Sequence, residues 1–288
     1  MTEEKTIAIY GPGLLGGSLA LAVQERFPHS RLRLWARREG AEAGIRARGI
    51  RADFFTDAVQ AASGASLIIL CTPVETMEGL AQQIIQADLP PDCLITDVGS
   101  VKGSVVAALE PILGSRFIGS HPMAGSEKTG VEVARADLFV NAACLITPSS
   151  SSSPGTSRLE RLRVFWQALG CRLLEMSPLE HDEKVARISH LPHMMAVVTT
   201  LSALRSDPAA VACAANGFRD TTRVAGGDPG LWTGIALENR AALTAQLRTA
   251  SDTLTELLEI LDKPDEEELR RFLAEAQSLR RTVPAAVS

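Results

Sequence analysis

Two short stretches of this chain hold residues able to do chemistry together. Gly119-Ser-His-Pro-Met-Ala-Gly-Ser-Glu127 sets one histidine, His121, in a loop directly before a proline, among small residues that let a ligand approach the backbone. Far upstream, Gly11-Pro-Gly-Leu-Leu-Gly16 has the spacing of a phosphate-binding glycine turn. Such a histidine beside a dinucleotide site implies an alcohol that gives its proton to the imidazole while its hydride leaves for a nicotinamide.

The glycine turn implies a pyrophosphate held by backbone at the start of a helix, where unpaired N–H groups and the helix dipole favour negative charge. Gly11, Gly13, Leu14, Leu15 and Gly16 would line it, with Thr72 and Pro73 from the end of another strand facing the same cofactor. The end of the second strand bears on which cofactor. An acid there would accept from the ribose hydroxyls of NAD, but the position counts to Arg37, followed by Arg38, with no acid before Glu39. Arginine suits a 2′-phosphate, so the expectation is NADP, with NAD possible if Arg37 only lies solvated over the adenine.

These residues need a scaffold, and the apolar pattern describes one. Short apolar runs at 6–10, 31–36, 66–71, 93–97, 116–119, 142–146 and 171–175 read as strands. Helical patterns at 18–27, 75–87, 101–113 and 159–169 alternate with them. The expected fold class is α/β, a Rossmann-like doubly wound, mostly parallel sheet. The serine-rich stretch at 148–155 reads as a surface loop inside that domain. After Ser177-Pro178 every apolar pattern is helical, which divides the chain into a dinucleotide-binding domain at 1–177 and an all-helical substrate and dimerisation domain at 178–288. Pro192 should start or kink a helix within 180–205. A single very long helix is expected over 229–262 and a last one over 265–281. So long a helix on so small a domain implies burial against a second copy, hence a homodimer through the helical domain.

Bulk properties exclude several classes. The chain has 288 residues, 45% hydrophobic and 22% charged, with net charge −5, so clustered positive charge for nucleic acid or an anionic membrane is lacking. Five cysteines form no CxxC pair and read as small buried hydrophobes of a reduced, cytoplasmic protein. No signal peptide is evident, and no apolar run approaches the ~20 residues of a membrane helix. His181, His190 and His193 with Asp182 raise a metal reading, but no cysteine or second acid completes a site, so no metal is expected.

The glycine turn, Cys71-Thr-Pro-Val74, Asp97-Val-Gly-Ser-Val-Lys102, the His121 stretch, Ser189-His-Leu-Pro-His193, Gly217-Phe-Arg-Asp-Thr-Thr-Arg223 and Asp228-Pro-Gly-Leu-Trp232 occur in that order. Together they resemble the prephenate and arogenate dehydrogenase family of tyrosine biosynthesis, from the first strand to about residue 240. The resemblance implies oxidative decarboxylation of a cyclohexadienol: hydride leaves the ring for the nicotinamide, CO₂ departs, and the ring becomes a phenol. It implies that His121 is the catalytic histidine and that Ser100 hydrogen-bonds near it; the same hydroxyl would also suit the N-cap of a helix starting at Val101. It implies substrate contacts from His193 and Arg223, the latter gripping a carboxylate with two hydrogen bonds. Glu127 matches a position at the site mouth, or is a solvated loop acid.

Two other readings stay open on the sequence. A 3-hydroxyacid dehydrogenase of similar architecture would use a lysine early in the helical domain, where Lys184 stands, but leaves His121 unexplained. A non-catalytic NADP(H)-sensing protein would need the glycine turn and have no use for His121, His193 and Arg223 together.

Overall fold

The computed structural model describes residues 5–125, 128–148, 157–263 and 265–283. Glu127 and nearly all of the serine-rich stretch, at 149–156, lie outside the described residues. Contacts group the chain into two units, residues 1–239 and 240–288.

The first unit is built on β1 (Thr6–Tyr10), β2 (Arg31–Trp35), β3 (Asp53–Phe55), β4 (Leu67–Leu70) and β5 (Leu94–Asp97). They form a parallel sheet in the order β3-β2-β1-β4-β5. Its connections are α1 (Leu14–Arg26), α2 (Ala41–Ala47), α3 (Ala58–Ala62) and α4 (Val74–Ile84), followed after β5 by α5 (Gly103–Leu113). The period-two alternation of a strand divides the core in two. Ile7 and Ile9 of β1 join Leu67 and Ile69 of β4 on one face, while Ala8, Tyr10, Ile68 and Leu70 pack on the other. All eight are fully buried, as parallel strands covered on both faces must be, and each large aliphatic contributes roughly 1.5–3 kcal/mol. The strand order reverses between β1 and β4, the crevice where open α/β sheets take ligands at their carboxyl ends.

A second sheet, in the order β6-β7-β8, consists of β6 (Gly119–Pro122), β7 (Ala143–Thr147) and β8 (Arg172–Glu175), with α6 (Ser157–Ala168) between the last two. A parallel bridge from Ile95 to Phe117, with Ile118 N–H donating to the Ile95 carbonyl at 3.0 Å, ties it to β5. The strand expected at 116–119 thus lies further on. Gly114–Arg116 is a 3-10 turn and the ladder forms over 119–122, so His121 stands on a strand and not in a loop. Antiparallel pairing of His121 with Leu145 holds it there. The pattern also missed β3, α2 and α3, which are three to seven residues long.

Helices α7 (Pro178–Val185) and α8 (Leu191–Leu204) are joined by a π-helical turn, Ala186–His190, that ends just before Pro192. Pro192 is the second residue of α8, directly after the wider turn in which Leu191 N–H donates to the Ala186 carbonyl. Next come α9 (Asn216–Thr222), a 3-10 turn (Arg223–Gly226) and α10 (Pro229–Glu238), capped by Asp228 accepting from Leu231 N–H at 2.7 Å. The single helix expected over 229–262 is two, since α10 stops at Asn239 and α11 (Arg240–Asp262) begins beyond it. Asn239 turns its side chain inward to hydrogen bonds with Asp182 and His190, which accounts for the break. In the second unit, α12 (Glu266–Arg281) follows α11 and is capped by Asp265. Among the described residues no helix is long and apolar enough to cross a membrane.

Candidate active site

The glycine turn follows β1 as expected. Gly11 takes φ +93°, and a Cβ there would lie 2.9 Å from both the Cys71 carbonyl and Thr72 Cγ2. A Cβ on Gly16 would run into the Gly11 carbonyl. Both positions therefore require glycine for the turn itself. At Gly13, among the described residues, nothing beyond its own chain neighbours lies within 4 Å of a Cβ position, so the room there is left open by the fold. α1 starts at Leu14 with no side chain capping it and no acid in its first turn, which leaves its N–H groups for an anion. Leu14 and Leu15 anchor that turn against the core. Thr72 Oγ1, at the carboxyl end of β4, is buried without a hydrogen-bond partner among the described residues. An open backbone cradle with an orphaned hydroxyl beside it fits a dinucleotide pyrophosphate. Pro73 is exposed next to Thr72. Gly11 N–H donates to the Trp35 carbonyl at 2.9 Å, so the exposed Arg37 and Arg38 begin two residues past the strand end that meets the turn.

His121 belongs to the same edge of the molecule. Phe117 pairs with Ile95 in parallel, and four residues later His121 has passed the carboxyl end of β5. Polar bonds fix β6: Ser120 Oγ donates to the Asp97 carbonyl at 2.7 Å and lies 2.8 Å from Thr96 Oγ1, while Trp166 Nε1 donates to Ser120 Oγ at 3.2 Å. His121 Nδ1 is 2.9 Å from His181 Nε2, and His181 Nδ1 is 2.8 Å from Asp182 Oδ1. Asp182 in turn accepts the backbone N–H of Lys102 and of Gly103, each at 2.8 Å. It thereby caps α5 from another helix. Ser100 is not that cap, because α5 begins at Gly103 and not at Val101, and Ser100 is half-buried just before it.

Beneath the histidines lies a fully buried ion pair, Lys102 to Asp97. Asp97 also accepts from Gly99 N–H at 2.8 Å and Ser120 N–H at 3.2 Å, which satisfies the carboxylate that burial would otherwise penalise. Desolvation, then His181, Lys102 and His190, hold the His121 imidazole well below the ordinary histidine range, so it is neutral. His181 is lowered for the same leading reason, burial, against the pull of Asp182. Burial likewise lowers His190, to about 4.

In the helical part, His193 on α8 is buried with its ring flat on Trp232, centroids 3.4 Å apart. Its Nδ1 has no partner among the described residues. His190 meets the same indole edge-on and lies 3.2 Å from Asn239 Nδ2. His190 acts electrostatically on His121 and feels His193, so the three imidazoles share one electrostatic environment. Arg223 is exposed at the start of a 3-10 turn that packs on α8. Lys184, the lysine of the hydroxyacid reading, is half-exposed and paired with Glu180 on the outside of α7.

Sequence reasoning missed His181, Asp182, Lys102 and Asn239 as parts of the site. His181 enters the sequence reading only through the metal set that was set aside, yet both its nitrogens are committed to protein partners. The available signal was an adjacent His-Asp pair in the first turns of a helix opened by a Ser177 cap.

Known proteins share the fold and much of the sequence. The prephenate dehydrogenase nucleotide-binding domain model matches residues 19–175 and the prephenate dehydrogenase dimerization domain model matches residues 177–275. A prephenate dehydrogenase of Bacillus subtilis is 34% identical over 287 residues, covering 97% of this chain and 76% of that protein. A cyclohexadienyl dehydrogenase of Zymomonas mobilis is 33% identical, covering 97% and 96% respectively. The crystal structure of prephenate dehydrogenase from A. aeolicus, in complex with hydroxyphenyl propionate and NAD+, matches with TM-score 0.88 at 29% identity over 97% of this chain and 98% of that one. The resemblance carried by the motifs is thus met over almost the whole length, and the chain belongs to the prephenate dehydrogenase family.

Proposed function

We propose that this chain is an NAD(P)-dependent dehydrogenase of tyrosine biosynthesis that oxidatively decarboxylates prephenate, arogenate or both, giving 4-hydroxyphenylpyruvate or tyrosine and CO₂. The observation that carries this reading is a buried neutral histidine, His121, at the same carboxyl edge of the sheet as the glycine turn. The cofactor, when bound, accepts the hydride. Gly11, Gly13, Leu14, Leu15 and Gly16 hold its pyrophosphate through backbone, with Thr72 and Pro73 beside it. Arg37 and Arg38 favour a 2′-phosphate, hence NADP over NAD.

His121 takes the ring hydroxyl proton as carbonyl character develops at that carbon. Arg223 grips a substrate carboxylate, and Nδ1 of His193, without a partner among the described residues, reaches a second polar group, its ring held by Trp232. Ser100 orders the neighbourhood of His121 and the nicotinamide, and Glu127 stands at the mouth. The chain acts as a homodimer through the helical region, where α11 exposes Leu254, Leu258 and Leu261 and α12 exposes Leu273 and Leu279. We place the functional division at 177/178, with the protein in the cytoplasm.

The test crosses prephenate and L-arogenate with NAD and NADP, following the absorbance of reduced cofactor. Turnover in any combination supports the reaction and reads out substrate and cofactor together. No turnover from protein that binds NADP overturns it.

A further inference from the structure

His121 accepts a proton only if the nitrogen facing substrate carries none, and what decides this lies behind it. Asp182 is surrounded by donors alone. Two are backbone N–H groups, Lys102 and Gly103, which have no other role, and both carboxylate oxygens are engaged. A protonated carboxyl would turn an O–H against an N–H, so Asp182 is ionised. Its third neighbour, His181 Nδ1 at 2.8 Å, must then carry a hydrogen. A neutral His181 consequently has a bare Nε2, and that atom is 2.9 Å from His121 Nδ1. Only one arrangement satisfies the contact: His121 Nδ1–H donates to His181, and the lone pair of His121 is left on Nε2.

We propose that His181 and Asp182 are positioning residues that fix the His121 tautomer from behind and receive the charge that His121 acquires. This rests on the reading of His121 as proton acceptor. When His121 Nε2 takes the substrate hydroxyl proton, its Nδ1 proton crosses to His181 Nε2. His121 is then neutral again with hydrogen on Nε2, and the imidazolium is His181, bonded to the Asp182 carboxylate. No proton is gained or lost in the exchange between the rings. The reverse shift, with release of the Nε2 proton to solvent, restores the starting state. The surroundings suit the transfer. Asp97, Lys102 and Asp182 together carry one net negative charge, so the added proton brings the buried cluster to neutrality instead of leaving an isolated cation.

The test combines two variants with a direct observation of the protons. His181→Leu removes the acceptor behind His121. It should lower kcat by about 10–10³-fold, with KM and cofactor affinity near those of the parent. His181→Gln offers a carbonyl to His121 Nδ1–H but cannot take its proton, and it should recover part of that loss. Nitrogen-15 NMR of the histidine rings in the parent protein should place the His121 proton on Nδ1 alone. A proton found on His121 Nε2 in the resting protein overturns the proposal whatever the variants do, including a leucine variant that fails to fold. A folded His181→Leu enzyme with kcat within twofold of the parent overturns it too. His121→Asn separates the two levels of the argument. Unchanged turnover there sinks the proton-acceptor reading itself, whereas a loss there with none in His181→Leu sinks only the part assigned to His181 and Asp182.

Discussion

The glycine turn and the histidine network meet at one edge of the sheet but are made in opposite ways. The turn is backbone, contained in the six residues of Gly11-Pro-Gly-Leu-Leu-Gly16, and it presents N–H groups that every sequence possesses. What the side chains contribute there is their absence. The network joins side chains from β6, α7 and Asn239 to one another and to the backbone at the start of α5, across 57 to 80 residues of chain, and it is buried. A ligand-binding cradle can therefore be specified locally and stand open. A proton acceptor has to be assembled by the whole fold, because its protonation depends on partners excluded from water. Damage should follow the same division: changes in the turn strike cofactor affinity, and changes in the network strike turnover and stability.

Removing the buried cation should do the most damage. Lys102→Met leaves Asp97 charged and uncompensated at zero exposure, and should cost about 3–5 kcal/mol in a denaturant melt. A loss comparable to that of a surface ion pair would show that the network is less tightly enclosed than its geometry implies. Acid should weaken the network next. His190 has a folded pKa of about 4 against an ordinary 6.5, so the unfolded chain binds its proton first. Its contribution is complete above pH 6.5 and fades as pH falls towards 4, a loss of roughly 3 kcal/mol in all. Melts across that window should show the decline; the buried His121, His181 and His193 are lowered as well and add to it, so His190→Asn should make the decline shallower without abolishing it.

The turn should answer differently. Gly16→Ala puts a Cβ against the Gly11 carbonyl and should weaken cofactor binding about tenfold or more, some 1.4 kcal/mol. The kcat at saturating cofactor should stay near that of the parent. A fall in kcat without a change in affinity would break the division between the two regions. Smallest is Arg37→Asp at the exposed rim, which should move cofactor preference from NADP towards NAD by a few-fold to about tenfold. An unmoved ratio would place the 2′-phosphate elsewhere.

The same division governed what the sequence revealed. The turn was legible because its geometry is written in contiguous glycines after an apolar run. The parallel core was legible because β1 and β4 are apolar on both faces. His121 stood out by its neighbours, yet its strand did not, since Gly-Ser-His-Pro lacks the branched residues that mark a strand and is held by Leu145 and Ser120 contacts instead. β3 is too short to show a period. The break at Asn239 is hidden because the apolar stripe continues past it, and its cause lies in Asp182 and His190, far back in the chain. His181 looked peripheral for the same reason: nothing within its own helix tells that His121, sixty residues away, will sit against it.

The most direct measurement is turnover and cofactor affinity of His121→Asn, taken on the same preparation. Loss of the proton acceptor should reduce kcat by about 10²–10⁴-fold, while the dissociation constant for NADP stays within a factor of about two, because the cradle shares no side chain with the network. Turnover equal to the parent's would contradict the account at its centre, since the buried imidazole would then have no part in the chemistry.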